Sequence, residues 1–272
     1  MPREGTGPDF IEALARGLEV IAAFRPARPV MTLAEVAGAT GLARPTARRI
    51  LLTLAELGYV RPVGGTAVPA GFALTPRVLE LGMAYVHSMG LWDIARPHLE
   101  RLVARTHESS SIAQLDGSDI VYVARVSVPK IVTLAVDIGT RFPALPTSLG
   151  KVLLADRATA EVDRILAEPS RSGITPRWQP DRDEREAELA QVRARGWALT
   201  DEKLAPGIRS VAAPLRDGSG RVIAAVNVNA HAAETTVDRL VQDHLPLLLA
   251  TAGEISADFA RRDALPHVTR PA

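Results

Sequence analysis

Residues 32–58 read TLAEVAGATGLARPTARRILLTLAELG, and this stretch decides the fold of the first part of the chain. Thr32 and Glu35 form a capping pattern ahead of a short helix, which is expected to stop by Gly38. Thr40-Gly41-Leu42 then predicts a tight turn, because glycine adopts backbone conformations that other residues avoid. A longer helix follows the turn. Two helices joined in this way are typical of a helix-turn-helix.

The longer helix is predicted to have one apolar stripe and one basic face. Pro45 lies in its first turn, where a helix tolerates proline, and Gly58 closes it. The apolar residues at helical spacing are Ala47, Ile50, Leu51, Leu54 and Leu57. The side chains outside this stripe include Arg44, Thr46, Arg48 and Arg49. The helix is therefore expected to bury its stripe and to expose its arginines.

The segments on both sides complete a winged helix-turn-helix over residues 10–74. Asp9 and Glu12 form a second capping pattern, after which a helix is expected to run to about Phe24. Residues 59–61 and 72–74 predict two short strands. The tip between the strands contains Gly64, Gly65, Pro69 and Gly71. Helix, helix, turn, helix and hairpin in this order predict the winged form of the motif.

The basic face of the longer helix suits the major groove of DNA. Arginine forms paired hydrogen bonds to guanine and neutralises phosphate, while threonine and the helix N-terminus hold the DNA backbone. The predicted DNA contacts are Arg44, Pro45, Thr46, Arg48, Arg49 and Arg61. A solvated arginine face on an ordinary three-helix unit is the structural alternative. Because the net charge is only +1, any DNA contact must come from such a local cluster.

A linker helix is predicted at residues 75–90, from Thr75-Pro76 to Gly90. Its apolar positions are Leu79, Met83 and Val86. Residues 91–262 contain strands flanked by helices, which predicts an α+β domain with a mainly antiparallel sheet. Residues 263–272 are predicted to form a flexible tail.

Periodicity and turn signals place the elements of this larger domain. Strands are predicted at residues 111–115, 120–126, 131–136, 197–200, 210–215 and 222–229. Helices are predicted around residues 94–102, at 148–154, at 183–195 and at the C-terminal end, where Pro246 marks a break or restart. Asp116-Gly117 and Asp217-Gly218 are turn signals.

Composition excludes several classes of protein. Hydrophobic residues make up 47% and charged residues 23% of the 272-residue chain, as in a folded globular protein. The absence of cysteine excludes disulfides, a thiol nucleophile and thiolate metal sites. Residues 1–8 lack the layout of a secretory signal, and no apolar run reaches the roughly 20 residues that span a bilayer. We therefore expect a soluble cytoplasmic protein that does not bind membranes.

Ser148-Leu149-Gly150-Lys151 matches the S-x-x-K motif of serine penicillin-binding enzymes, which makes a serine-dependent acyl enzyme the competing hypothesis. That motif needs S-D-N and K-T-G partners, and the chain offers only Ser118-Asp119-Ile120. In the structural interpretation, Ser148 caps a helix whose Gly150 permits close packing. None of the six histidines lies at metal-ligand spacing from another. We therefore expect no enzyme activity, no cofactor and no metal.

The sequence resembles the IclR-type regulators from Phe10 to about Arg261. In the first half the resemblance rests on LAEVA at residues 33–37 and GLARPTA at 41–47. In the second half it rests on GTRFP at 139–143, TSLGK at 147–151, GIRSVAAP at 207–214 and the strand at 224–229. The resemblance implies a winged helix-turn-helix joined to a GAF-like effector-binding domain, in chains that assemble as dimers or tetramers.

The opening FIEALARGL at residues 10–18 is similar to the subgroup that regulates protocatechuate and β-ketoadipate catabolism. By similarity, the effector-binding residues are Phe142, Leu145, Thr147, Ser148, Thr200, Ile208, Ser210, Asn227 and Asn229. Asn227 and Asn229 share one face of a strand, since residues i and i+2 point the same way. Arg141 is close to these residues in sequence and favours either a carboxylate contact or a structural salt bridge. As an alternative, Ser210, Asn227 and Asn229 could form hydrogen bonds at sheet edges and bind no effector.

These patterns together predict a transcription regulator. It is expected to bind double-stranded operator DNA and to respond to a small aromatic or keto carboxylic acid, with a role in aromatic catabolism. One recognition helix reads only a few base pairs, so an even-numbered homo-oligomer on at least two half-sites is expected.

Overall fold

A computed structural model describes residues 7–25, 27–64, 70–128 and 136–263. Most of the predicted strand at 131–136 lies outside the described residues, as do Gly65 and Pro69, the side chain of Val86 and the tail from residue 264 onward. The chain divides into two compact units, Met1–Ser88 and Met89–Ala272. Within the described ranges, no helix has the length and apolar character needed to cross a membrane.

The first unit packs helices against a small antiparallel sheet. Its helices are α1 (Glu12–Ala23), α2 (Leu33–Thr40), α3 (Arg44–Glu56) and α4 (Val78–Met89). Its strands are β1 (Val30–Met31), β2 (Val60–Val63) and β3 (Gly71–Leu74), in the order β1-β3-β2. Its core contains Val20, Val36, Leu51, Leu54 and Phe72. The predicted winged helix-turn-helix is confirmed.

Local residues fix the turn between α2 and α3. Thr32 and Glu35 form the predicted capping box: the Thr32 N–H donates to Glu35 Oε2 at 2.7 Å, and the Glu35 N–H donates to Thr32 Oγ1 at 3.2 Å. Gly41 ends α2 in the left-handed conformation with φ of 67°. Gly38 lies inside α2, so the predicted helix end there is wrong. The helix continues until a glycine adopts the positive φ that terminates it.

Three details of this unit differ from the prediction. Ile11 precedes α1 without a side-chain cap, and Glu12 instead accepts a hydrogen bond from Arg16 at 2.8 Å. The predicted capping pattern at Asp9 is therefore wrong. Leu57 lies just beyond α3 and is 50% exposed, so it does not join the buried stripe. β1 is absent from the prediction, because two residues are too few for a strand pattern to show.

The second unit is built on a six-stranded sheet. Its strands are β4 (Ser109–Asp116), β5 (Asp119–Val126), β6 (Arg141–Pro143), β7 (Ala198–Asp201), β8 (Ile208–Arg216) and β9 (Val222–His231). Its helices are α5 (Leu91–Thr106), α6 (Ser148–Ala155), α7 (Thr159–Ala167), α8 (Arg182–Arg195), α9 (Val237–Arg239) and α10 (Leu245–Asp263). The strand order is β6-β5-β4-β9-β8-β7, and neighbouring strands are antiparallel.

Helices cover both faces of this sheet. Leu99 of α5 and Leu248 of α10 pack with Val226 of β9 in one hydrophobic core. Leu154 of α6 packs with Ala225 of β9 in a second core on the other face. The predicted α+β class with an antiparallel sheet is confirmed.

Turn and helix-break signals in this unit match the structure. Gly117 has a φ of 61° and joins β4 to β5 as predicted. A π-helical segment, Leu240–His244, precedes α10, and Pro246 is the second residue of α10, so the helix restarts there as predicted. The short elements β6 and α7 were not predicted, since β6 has only three residues and α7 buries only Val162.

Candidate functional site

The exposed face of α3 carries most of the predicted DNA contacts. The helix buries Ala47, Leu51 and Leu54. Arg44, Pro45, Arg48 and Arg49 are exposed, and Thr46 is half-buried. Arg61 is exposed on β2, where it pairs with Ala73 of β3. The structure therefore presents four arginines on the surface of the helix-turn-helix unit.

The start of α3 lacks a side-chain cap. Ala43 precedes the helix and has no side-chain oxygen with which to cap it. Among the described residues, no side chain caps the first-turn N–H groups of Arg44 and Thr46, which leaves them available to a ligand. Such groups bind phosphate through hydrogen bonds and the helix dipole.

Most of the predicted effector residues converge on one cavity of the second unit. The cavity is lined by Tyr122, Phe142, Pro146, Thr147, Ser148, Leu149, Thr200, Leu204, Ile208, Ser210, Asn227 and Asn229. Sequence reasoning missed Tyr122, Pro146, Leu149 and Leu204. Pro146 and Leu149 flank or lie within the TSLGK motif, which was the signal that could have found them.

The register of the sheet explains why the polar side chains meet. Asn229 of β9 pairs with Ser210 of β8, and Ser210 pairs with Thr200 of β7. Directly paired residues of antiparallel strands point to the same face, so these side chains form a row across the sheet. Asn227, two residues back along β9, lies on the same face in the next row. Opposite the sheet, the Ser148 hydroxyl of α6 lies 2.7 Å from Ser210 Oγ.

One polar group of the cavity lacks a partner. Asn227 Oδ1 accepts the Ser111 N–H at 3.0 Å, and its side chain also interacts with the Tyr122 hydroxyl. Burial raises the pKa of Tyr122 to about 12, so this hydroxyl stays neutral. Thr200 Oγ1, in contrast, is buried without a hydrogen-bond partner among the described residues. An unsatisfied buried hydroxyl costs about 1–3 kcal/mol, which a suitable ligand atom would recover.

Thr147 and Gly150 fix the start of α6. Thr147 Oγ1 accepts the Gly150 N–H at 3.0 Å, so Thr147 caps the helix and the predicted capping role of Ser148 is wrong. A Cβ atom on Gly150 would lie 2.0 Å from the carbonyl oxygen of Ala144. Glycine thus permits the close packing that was predicted. Ser148, which does not cap the helix, directs its hydroxyl to Ser210 instead.

The cavity is narrow in this structure. Its volume is about 20 Å³, close to the room that one water molecule needs. An aromatic acid is larger than this. A ligand of that size therefore fits only if side chains that line the cavity move.

Arg141 and Leu145, which were predicted to bind the effector, are not among the residues that line this cavity. The Arg141 guanidinium forms ion pairs with Asp116 and Asp119, which supports the structural alternative for this residue. Leu145 lines a neighbouring cavity of about 340 Å³. Pro146 borders both cavities, so the segment before α6 forms the wall between them.

The two residues of the S-x-x-K motif bond to different partners. Ser148 contacts Ser210, whereas the buried Lys151 ammonium donates to Glu188 at 2.6 Å and to the Leu199 carbonyl at 3.2 Å. Burial lowers the pKa of Lys151 to about 8, and the ion pair with Glu188 opposes this effect only in part. Lys151 therefore forms an ion pair with Glu188 and does not line the cavity. In the part of the chain that the structure describes, no cluster of three histidine or acidic side chains is suited to a metal ion.

Two protein families match this chain, one in each unit for most of its length. The family described as the IclR helix-turn-helix domain matches residues 13–64. The family described as bacterial transcriptional regulator IclR C-terminal matches residues 83–257, which is more than half of the chain.

Individual proteins are similar over most of their length. The chain is 39% identical to the Pca regulon regulatory protein of Pseudomonas putida, over 91% of this chain and 84% of that protein. It is 47% identical to a transcriptional regulator of Rhodococcus sp. RHA1, whose crystal structure matches 93% of this chain and 100% of that chain with a TM-score of 0.79. An IclR homolog from Microbacterium hydrocarbonoxydans, crystallised with 4-hydroxybenzoate, is 25% identical over 92% of this chain and 99% of that chain, with a TM-score of 0.76.

Proposed function

Because the chain belongs to the IclR family of bacterial transcriptional regulators, we propose that it binds operator DNA through α3 and a small aromatic acid in the narrow cavity. The observation that carries the effector part is the cavity itself. Hydroxyl and amide groups converge there from α6 and four strands, and the Thr200 hydroxyl has no partner in the described structure. Such a set of groups binds a ligand and lacks a base to react with it.

The aromatic class of the effector is supported by the cavity walls and by two relatives. Tyr122 and Phe142 stack edge to face with ring centroids 5.6 Å apart, and Ile208 adds an aliphatic surface. The Pseudomonas putida relative is named for the Pca regulon, and the Microbacterium homolog holds 4-hydroxybenzoate. We therefore assign this chain to the regulation of aromatic catabolism, in the protocatechuate and β-ketoadipate subgroup.

A thermal-shift screen tests the effector class. The ligands are 4-hydroxybenzoate, protocatechuate and β-ketoadipate, with 4-hydroxybenzamide as a neutral control. A ligand at 100 times its Kd stabilises the folded protein by about 2.7 kcal/mol. This corresponds to a rise in Tm of about 5–10 °C for a unit of this size. Unchanged melting with all three acids would contradict the proposed effector class.

DNA binding by α3 is tested with a charge-matched pair of variants. Operators are first selected from random-sequence DNA by the protein itself. Arg48→Ala/Arg49→Ala should abolish the mobility shift at physiological salt. If residual binding is measurable, the slope of log binding constant against log salt concentration should be shallower by about one for each lost phosphate contact. Arg164→Ala/Arg171→Ala removes the same charge from exposed positions of the other unit and should leave binding unchanged. Wild-type binding by the folded α3 variant would refute the assignment.

A protein that binds operator DNA acts in the bacterial cytoplasm, where the chromosome is. Operator binding also requires no catalytic residue. In an acyl enzyme a base lies within hydrogen-bond reach of the nucleophile. Here Ser148 and Lys151 bond to different groups. We expect no covalent adduct in the mass spectrum after incubation with benzylpenicillin. An adduct on the wild type that Ser148→Ala abolishes would support the enzyme alternative instead.

An even-numbered oligomer is supported by an apolar surface on the first unit. Leu14 and Leu18 of α1 and Leu81 of α4 are more than half exposed, and they line a groove of about 710 Å³. Leu79 and Met83 of the linker helix are also exposed. Apolar patches of this kind mark interaction surfaces, and two half-sites require two recognition helices.

Light scattering tests the oligomer. The wild type should be a dimer or tetramer, and Leu18→Asp/Leu81→Asp should shift it toward the monomer. Ile138→Asp/Ile174→Asp places the same charge on two exposed apolar residues of the other unit and should have no effect. A wild-type monomer, both alone and on DNA, would contradict this part of the proposal.

A further inference from the structure

An irregularity in β5 changes which residues face the cavity. Ala113 of β4 pairs with Tyr122, but the preceding Ile112 pairs with Ala124, so Val123 is an extra residue in β5. This is a β-bulge. Tyr122 and Arg125 are three residues apart and would point to opposite faces of a regular strand. The bulge brings them to the same face.

Arg125 therefore lies in the same row of the sheet as a residue of the cavity. Arg125 pairs with Ser111 of β4, and Ser111 pairs with Asn227 of β9. Neighbouring strands lie about 4.8 Å apart, so two strand spacings separate Arg125 from Asn227. The arginine side chain already spans the first of them, since its Nη1 donates to Ser111 Oγ at 2.9 Å.

Arg125 differs in its partners from the cations that lie within two residues of a cavity-lining residue along the chain. Each of those is paired with a carboxylate: Arg141 with Asp116, Lys151 with Glu188, Lys203 with Glu188 and Arg209 with Asp201. No carboxylate of the described residues forms an ion pair with the half-buried Arg125. Its hydrogen bond is to a neutral hydroxyl. Buried charges in proteins are otherwise paired, because an unpaired charge carries a large desolvation cost.

The electrostatic surroundings leave this charge incompletely balanced. Burial lowers the pKa of Arg125, and attraction to the exposed Asp137 opposes this effect only in part. Guanidinium nevertheless stays charged at neutral pH. A bound anion on the cavity side would balance it.

We infer that Arg125 is the specificity-determining residue that makes the cavity select a carboxylate over a neutral ligand. The inference rests on the effector part of the proposed function. Thr200, Ser210 and Asn227 are neutral and could bind an acid, an amide or an alcohol. Arg125 adds the one feature that separates an acid from its amide, and arginine matches the planar carboxylate with paired N–H donors.

The test compares acids with their amides by calorimetry on the full chain. The ligands are 4-hydroxybenzoate and protocatechuate, each paired with the corresponding benzamide. The wild type should bind each acid more tightly than its amide. Arg125→Gln should weaken acid binding by about ten- to hundredfold, the range of a hydrogen bond to a charged group, and leave amide binding within about twofold. Arg141→Gln is the matched control, because that arginine already has acid partners, and it should keep the preference for the acid.

Two outcomes with Arg125→Gln would overturn the inference and leave the proposed effector class intact. The first is Arg125→Gln that binds the acids like the wild type. The second is an equal loss of acid and amide binding, which would indicate a packing role. If the Tm of Arg125→Gln without ligand is below that of the wild type, Arg125→Lys is measured instead. Loss of the preference for the acid in Arg125→Lys would also overturn the inference. Failure of the wild type to bind either acid would instead contradict the proposed effector class and, with it, the inference.

Discussion

Replacement of Thr200 by valine tests the cavity through two effects of opposite sign. Thr200 is 3% exposed on β7, and its hydroxyl has no hydrogen-bond partner within the described ranges. Valine keeps the shape and the branched Cβ that suit a strand, and it lacks only the hydroxyl. Thr200→Val therefore removes an unsatisfied polar group without opening a cavity.

The two effects can be estimated separately. Without ligand, the variant should gain part of the 1–3 kcal/mol that an unsatisfied buried hydroxyl costs. A gain of about 1–2 kcal/mol raises Tm by about 2–8 °C in a unit of this size. The same hydroxyl can bond to the ring hydroxyl of 4-hydroxybenzoate, which the variant would leave buried and unpaired at a cost of about 1–3 kcal/mol. Effector affinity should therefore fall by about ten- to hundredfold.

Scanning calorimetry without ligand and titration calorimetry with 4-hydroxybenzoate measure the two effects. Thr106→Val is the matched control, because Thr106 is buried but its hydroxyl donates to the Leu102 carbonyl at 2.9 Å. This control should lower Tm and leave effector binding unchanged. A Thr200→Val variant that is less stable than the wild type and binds the acid normally would refute the reasoning.

Two further predictions concern α6. Burial lowers the pKa of Lys151 from its ordinary value of 10.5 to about 8, so the unfolded chain binds more protons than the folded chain between these pH values. The free energy of unfolding should therefore rise with pH in this range, by up to about 1.4 kcal/mol per pH unit. Lys151→Met should lack this increment in urea unfolding at pH 7.5, 9 and 10; an identical pH dependence in both proteins would contradict the burial argument. Gly150→Ala should lower the free energy of unfolding by about 2 kcal/mol or more, since its Cβ would lie 2.0 Å from the Ala144 carbonyl oxygen. Gly38→Ala, in open space inside α2, should instead be neutral or stabilising, and similar losses at both glycines would count against the packing argument.

The first unit could be predicted largely from its sequence because its signals are local. The capping box at Thr32 and Glu35 and the left-handed Gly41 act within a few residues of the elements that they define. The exact end of α2 could not be predicted, since a helix can end at either Gly38 or Gly41 and only the geometry of the turn decides between them. Leu57 fits the helical spacing of the stripe, but α3 has ended before it.

The cavity could be predicted only in part, because distant pairing positions its residues. The resemblance to the IclR-type regulators indicated Asn227, Asn229 and Ser148, and strand alternation agrees that the two asparagines share one face. Arg125 does not, since the bulge at Val123 changes the face of the strand and is visible only through its pairing with β4. Arg141 was expected near the effector because the sequence does not show that Asp116 and Asp119 of the β4–β5 hairpin take up its guanidinium.

The most direct test of the regulator itself is the activity of a promoter that carries the selected operator, measured in cells against the concentration of 4-hydroxybenzoate or protocatechuate. The wild-type chain should change the promoter output as the acid concentration rises, whether upward or downward. Thr200→Val should need about ten- to hundredfold more acid for the same change, and Arg48→Ala/Arg49→Ala should give no response at any concentration. Two results would contradict control of transcription through this cavity. One is a promoter output that does not change with an acid shown to bind the protein, and the other is a Thr200→Val response at the same acid concentrations as the wild type.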